Sequence, residues 1–246
     1  MSLPVSDRPD VGPTLLWLHG FTQTQHAAER FRSILAGSLT LVTPDLPGHG
    51  GAAHESASLG ESGQHLADQF LTTPRFVGGY SFGGRTALHV ALARPDHVER
   101  LVLLSTTLGI ADGDERAQRR GRDEALATHI RNIGTEAFLD EWLAQPLFAG
   151  LPRRDHHERS HDAEGLARSL ELAGTGTQAY LGDAVATLTM PTLVLCGAND
   201  EKFVRESHAL AERLPNATLH VVEGAGHALH MERPDVVAGL VVDFLA

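Results

Sequence analysis

The stretch Gly78-Gly79-Tyr80-Ser81-Phe82-Gly83-Gly84-Arg85 sets four glycines around a single serine hydroxyl. Apolar, β-favouring Phe76 and Val77 precede it, and Thr86-Ala87-Leu88-His89-Val90-Ala91-Leu92-Ala93 has the composition of a helix. The whole therefore reads as strand, sharp turn, helix, with Ser81 at the turn. Gly79 and Gly83 occupy the glycine positions of G-x-S-x-G. Missing side chains there let strand and helix pass closely, and let the serine take a strained backbone conformation that lifts its hydroxyl out of the structure.

The rest of the chain alternates in the way this reading requires. Short apolar runs fall at Leu15–Leu18, Leu39–Val42, Phe76–Val77, Leu101–Leu104, Leu193–Leu195 and Leu219–Val222. Apolar on both faces and mostly separated by helical stretches, they are expected to be buried parallel strands. Helices are expected at Ala27–Ala36, Ser62–Leu71, Thr86–Arg94, Val204–Leu214 and Arg233–Leu245, which makes a doubly wound α/β pattern. Between Leu108 and Ala186 the strand signal stops, and the segment is helix-like, charged and broken by Gly134, Pro146, Gly150 and Pro152. A helical insertion there would sit over the carboxyl ends of the strands, where open α/β sheets bind ligands. The expected division is a core of residues 1–107 and 187–246 with a cap of residues 108–186.

Bulk properties exclude several classes. At 246 residues one domain is expected. Hydrophobic residues at 42% and charged residues at 21% suit a soluble globular protein, and no run approaches the ~20 apolar residues of a membrane span. The opening residues Met1 to Arg8 carry neither a basic leader nor an apolar signal core, so the cytoplasm is the expected location. A formal net charge of -11 opposes nonspecific attraction to nucleic acid or anionic membrane. The single cysteine, Cys196, cannot form an internal disulfide and sits in a strand-like run as a core residue. Of the fifteen histidines, His156, His157 and His161 lie in a charged stretch without metal-ligand spacing, so solvated surface and no metal are expected there. Nothing in the chain implies a cofactor.

A serine hydroxyl needs a proton acceptor, and the acceptor needs an orienting carboxylate. Downstream, Val194-Leu195-Cys196-Gly197-Ala198-Asn199-Asp200 places Asp200 just beyond one strand, and Gly224-Ala225-Gly226-His227 places His227 just beyond the next. The order Ser81, Asp200, His227 is the one expected for a nucleophile on such a turn. Asp200 fits best as the first carboxylate after its strand, with Asn199, Glu201 and Asp183 as alternatives, while His230 is expected to pack. Ser81 and His227 are expected at exposed loop ends. After the first apolar run, His19-Gly20-Phe21 can present the Phe21 N–H, and the Phe82 N–H follows the nucleophile, which together make a two-donor oxyanion hole. His19 itself is expected to be structural.

On these residues the chain is identified as a member of the α/β-hydrolase superfamily over essentially its whole length. More narrowly it resembles the 2-succinyl-6-hydroxy-2,4-cyclohexadiene-1-carboxylate synthases of menaquinone biosynthesis. The residues that carry this are Thr43–Gly50 (TPDLPGHG), Gly79–Arg85 (GYSFGGR), Glu136–Phe148 (EAFLDEWLAQPLF), Leu172–Gln178 (LAGTGTQ) and Asp200–Phe203 (DEKF). The resemblance implies elimination of pyruvate from a cyclohexene carrying several carboxylates, with Ser81, His227 and Asp200 abstracting a ring proton. Such a small anionic substrate calls for cations, and arginine binds a carboxylate through two parallel hydrogen bonds. Arg85, Arg119, Arg122 and Arg168 are the candidates, with Trp142 and Tyr80 as pocket walls. The chain departs from the pattern at Ala228, where the family often carries Asn, and is short before Leu15. A carboxylesterase or carbon–carbon-bond hydrolase with the same triad is the main alternative, and a ligand receptor on a retired hydrolase scaffold is the other.

Overall fold

The computed structural model describes residues 5–6, 12–73, 75–151, 156 and 158–246. Most of the opening segment read for a leader, together with Pro152 and His157, lies outside the described residues. In chain order the elements are β1 (Val5–Ser6), β2 (Thr14–Leu18), α1 (Glu29–Leu35), β3 (Thr40–Pro44), α2 (Leu59–Phe70), β4 (Arg75–Tyr80), α3 (Phe82–Ala93) and β5 (Val98–Leu104). There follow α4 (Gly113–Ile133), α5 (Thr135–Leu143), α6 (Ala163–Ala173), β6 (Thr192–Gly197), α7 (Glu201–Arg213), β7 (Ala217–Val222), α8 (Leu229–Glu232) and α9 (Pro234–Leu245).

The strands form one sheet in the order β1-β3-β2-β4-β5-β6-β7. β2 to β7 are parallel to their neighbours, and only the two-residue β1 runs antiparallel, against β3. Successive strand residues point to opposite faces, so each central strand feeds two cores. Leu16, Leu18, Val77, Leu101 and Leu103 pack against Leu66 of α2 and Leu88 of α3. Leu15, Trp17, Val102, Leu104 and Leu195 pack on the other face against Phe31 of α1 and Val237 and Val241 of α9. This double burial is why the runs are apolar throughout. β7 departs from the expectation of a buried strand: it is the sheet edge, and Thr218, His220 and Val221 are exposed.

Three helices begin earlier than composition implied. Ser58 and Glu61 form a reciprocal capping box that starts α2 at Leu59 rather than near Ser62. Asp200 caps α7, which therefore opens at Glu201. α3 starts at Phe82, so Gly83 and Gly84 lie within its first turn. The glycines are there for proximity: a Cβ on Gly83 would collide with the Leu18 carbonyl, and one on Gly84 with the Thr106 hydroxyl.

Among the described residues, three α-helices fall between β5 and β6. α4, α5 and α6 enclose a third apolar cluster of Ala127, Ile130, Phe138, Leu166, Ala167 and Leu170. On its outer face Arg131 of α4 clasps α6 through Glu164 and Glu171. No helix among the described residues is long and apolar enough to cross a membrane.

Candidate active site

The first link of the site is backbone strain. Ser81 sits between β4 and α3 at φ 52° and ψ −106°, a conformation that L-residues rarely adopt. Its N–H is tied to the Leu104 carbonyl at 2.8 Å, which anchors the turn to the neighbouring strand. A Cβ on Gly79 would collide with the Gly83 carbonyl, so the glycine pair is what lets the chain reverse at this distance.

His227 Nε2 lies 3.1 Å from Ser81 Oγ, and its Nδ1 lies 2.8 Å from Asp200 Oδ2. Burial opposes the Asp200 charge, but the hydrogen bond and charge of His227, the Phe203 N–H and the nearby Lys202 outweigh it and hold the carboxyl below its ordinary range. An ionised Asp200 can only accept, so Nδ1 carries the proton and Nε2 is left to accept from the serine hydroxyl. Asp200 is thus the carboxylate that meets His227. It also caps α7, through Oδ1 and the Phe203 N–H at 3.2 Å.

His227 differs from expectation in one respect: it is buried, 3% exposed, rather than displayed at a loop end. Rings crowd it on several sides. Phe203 lies 4.3 Å and Tyr80 5.3 Å from its ring centroid. Its backbone is held equally closely, since Ser105 Oγ donates to the His227 carbonyl at 2.8 Å and Glu232 accepts from the N–H groups of Gly226 and Ala228. Ser105 and Glu232 were not picked out from the sequence. The pattern of Glu five residues after the histidine, at the end of a one-turn helix, was the available signal.

Phe21 and Phe82 both face the same cavity, and their N–H groups have no hydrogen-bond partner among the described residues. Behind Phe21, the Leu46 N–H donates to His19 Nε2 at 3.0 Å, so Nδ1–H donates to the Gly20 carbonyl at 2.9 Å. That bond fixes the peptide plane shared with the Phe21 N–H, and Gln23 Oε1 holds the preceding N–H of Gly20 at 2.8 Å. His19 is structural, as expected, and so is His230, buried and stacked 4.3 Å from Tyr80. His156 is half-buried with Nε2 3.3 Å from Asp140, whereas His161 is exposed as read.

The cavity has a volume of about 640 Å³ and is lined by Ser81, His227, Tyr80, Trp142 and Phe148 together with Arg85, Arg119, Arg122 and Lys202. Glu115, Asp123 and Glu206 also face it. Arg85 is 8% exposed and gives Nη1 to the Ala173 carbonyl and to Gln178 Oε1, both at 3.0 Å. It has no carboxylate partner among the described residues. Burial, and then the Arg119 charge, push it down to about 10, so it remains a cation at neutral pH. Arg119 is bound to Asp123 at 2.8 Å, whereas Arg122 makes no ion pair among the described residues.

Arg168 is not among the residues that line this cavity. α6 turns Ser169, Leu170 and Ala173 toward the cavity, which swings Arg168 to stand 3.5 Å from Glu164, one turn back. Lys202, by contrast, was not read as a site residue although it is the chain's only lysine and lies two residues from Asp200. Cys196 is fully buried and its thiol is pushed up by burial, which leaves it outside the chemistry.

Three of the buried histidines carry a stability consequence. Burial pushes His19 down to about 4, and pushes His49 down to about 3 with the His19 charge adding to it. Burial and the His227 charge hold His230 at about 3. The unfolded chain takes up protons below pH ~6.5, whereas the folded chain does so only near these lower values. Stability is therefore complete above pH ~6.5 and lost as the pH falls through that window, at up to about 1.4 kcal/mol per pH unit for each histidine. Urea unfolding at pH 7 and pH 5 is expected to show the loss; equal stability at both would contradict the neutral, buried assignment.

The fold and the Ser81 turn define the class, and comparison with known proteins gives the same result. Residues 15–240 match the alpha/beta hydrolase family, and the chain belongs to it. Among its relatives is the 2-succinyl-6-hydroxy-2,4-cyclohexadiene-1-carboxylate synthase of Yersinia pestis (strain Pestoides F), 30% identical over 249 residues, covering 96% of this chain and 88% of that one. A Bacillus subtilis (strain 168) protein provisionally given the same name is 32% identical over 252 residues, covering 96% and 92%. The structure of MenH from S. aureus superimposes with a TM-score of 0.90 at 28% identity, covering 100% of this chain and 98% of that one.

Proposed function

We propose that this chain is a lyase that eliminates pyruvate from an enolpyruvyl cyclohexene bearing several carboxylates, giving 2-succinyl-6-hydroxy-2,4-cyclohexadiene-1-carboxylate. In this reading residues 108–186 are a cap on the hydrolase core, Ser81, His227 and Asp200 are catalytic, and the N–H groups of Phe21 and Phe82 are the oxyanion hole. The relatives' names support it. The observation that carries it in this chain is Arg85, a buried guanidinium on the cavity wall with neutral partners only. Asp123 acts on it only from beyond ion-pair distance, so the buried charge is incompletely compensated, a cost that an anionic ligand offsets. A neutral ester would not.

The chemistry follows from the hydrogen-bond chain. His227 Nε2 takes the Ser81 proton as Ser81 Oγ removes the ring proton from the carbon that bears the succinyl ketone, the carbon that becomes sp2 in the 2,4-diene. The charge that develops on that ketone oxygen meets the N–H groups of Phe21 and Phe82, donors worth roughly 3 kcal/mol each in comparable sites. The electron pair then forms the second ring double bond and the C–O bond to the enolpyruvyl group breaks. The departing enolate takes the proton from His227 and becomes pyruvate, which restores the neutral pair. No acyl-enzyme forms and no water is consumed.

An esterase would use the same three residues, so substrate preference decides between the two. Purified protein is given the enolpyruvyl precursor and, separately, 4-nitrophenyl acetate. The lyase reading expects kcat/KM to be higher for the precursor by at least about a hundredfold, the scale of two carboxylate contacts at ~1.4 kcal/mol each. Faster turnover of the ester would overturn it in favour of the hydrolase.

A further inference from the structure

The cavity holds a second cation that the reading above leaves unused. Lys202 is the second residue of α7, and its ammonium lies 5.3 Å from the centroid of the Phe203 ring. The Phe203 ring in turn lies 4.3 Å from that of His227. Across the site Arg85 Cζ stands 5.5 Å from the centroid of the Phe82 ring, next to Ser81. The reacting pair is therefore flanked by two cations, each one aromatic ring away, on the Ser81 side and on the His227 side.

Neither cation is neutralised from within. Glu206 stands one turn beyond Lys202 on α7, but its carboxylate accepts from the Thr107 hydroxyl at 2.5 Å, and Lys202 has no carboxylate within 4.0 Å among the described residues. Desolvation, the charge of Arg119 and the charge of Arg122 all push the ammonium below the ordinary lysine range, while Glu206 and Asp200 pull the other way. Arg119 lines the same cavity and is itself paired with Asp123 at 2.8 Å. Glu115, Asp123 and Glu206 face the same cavity, but none of them lies within 4.0 Å of Lys202 or Arg85, which leaves both cations able to meet an anionic ligand.

We propose that Lys202, with Arg122, forms a second carboxylate subsite on the His227 side of the cavity, selecting ligands whose second carboxylate lies across the site from the one taken by Arg85. The inference rests on the anionic-substrate reading above. It assigns discrimination between dicarboxylates and monocarboxylates to a lysine two residues from the triad aspartate.

The test needs no turnover. Binding of glutarate and of butyrate, which share a four-carbon frame but differ by one carboxylate, is measured by calorimetry on wild type, Lys202→Met and Lys202→Arg. Wild type is expected to prefer glutarate by at least ~tenfold, Lys202→Met to lose most of that preference with butyrate affinity little changed, and Lys202→Arg to keep it. A thermal melt verifies that each variant is folded. Equal binding of the two ligands by wild type, or an unchanged preference in Lys202→Met, would overturn the subsite. Preference intact without pyruvate release would overturn the lyase reading and leave the subsite standing; pyruvate release without the preference would do the reverse.

Discussion

Ser81→Ala is expected to lower kcat by ~1000-fold or more while the protein stays folded, because in the proposed mechanism it removes one member of a cooperating triad, which costs most of what the set provides. The substitution deletes one hydroxyl, half-exposed at the cavity, and leaves the strained backbone and its Leu104 tether in place. His227→Ala is expected to lose as much activity but to cost stability as well. The imidazole is packed between Phe203 and Tyr80, so its removal opens a hole worth roughly 1–3 kcal/mol. Denaturant unfolding run beside the kinetics separates the two effects. Ser81→Ala with more than a tenth of wild-type turnover would remove the hydroxyl from the mechanism.

Arg85→Met is expected to produce the second largest effect. The guanidinium is buried and its only described hydrogen bonds are to neutral acceptors, so a bound carboxylate loses its desolvated partner. Truncating one side of a buried charge pair costs about 2–5 kcal/mol, a fall in kcat/KM of at least about thirtyfold for the polycarboxylate substrate. The loss is expected mainly in KM if Arg85 holds a carboxylate equally in ground and transition states. Arg85→Lys is expected to recover only part of it, since an ammonium cannot reproduce the two-pronged contact. A similar loss on a neutral ester would make Arg85 a packing residue, tied only to Ala173 and Gln178.

The sheet was legible in the sequence because its central strands are buried on both faces, and short apolar runs bounded by turns are the mark of such strands. The Ser81 turn was legible because the steric demand at Gly79 and Gly83 leaves no choice of residue. Asp200 and His227 could be read as the first carboxylate and the histidine after the last two strands, with Asn199, Glu201 and Asp183 left as alternatives to Asp200, since the carboxyl ends of parallel strands lie along one edge of the sheet. The helical phase was not legible. Arg168 lies beside Ser169 in sequence, yet packing of Leu166, Ala167 and Leu170 against α4 turns Ser169 to the cavity and Arg168 to Glu164. A mixed-charge helix gives no sign of which arginine faces inward. Glu232 escaped because it acts on backbone N–H groups, those of Gly226 and Ala228, which no side-chain pattern announces. The exposed β7 was misread since an edge strand can carry the same apolar letters as a central one.

The most direct test of the lyase mechanism is the stoichiometry of products from the enolpyruvyl precursor, with pyruvate measured by a coupled reduction and the conjugated diene by its new absorbance in the same sample. The two are predicted to rise together in a ratio of about one to one, as a single elimination requires, and both to vanish in Ser81→Ala. Pyruvate without the diene, or a diene that forms equally fast with Ser81→Ala, would contradict the mechanism.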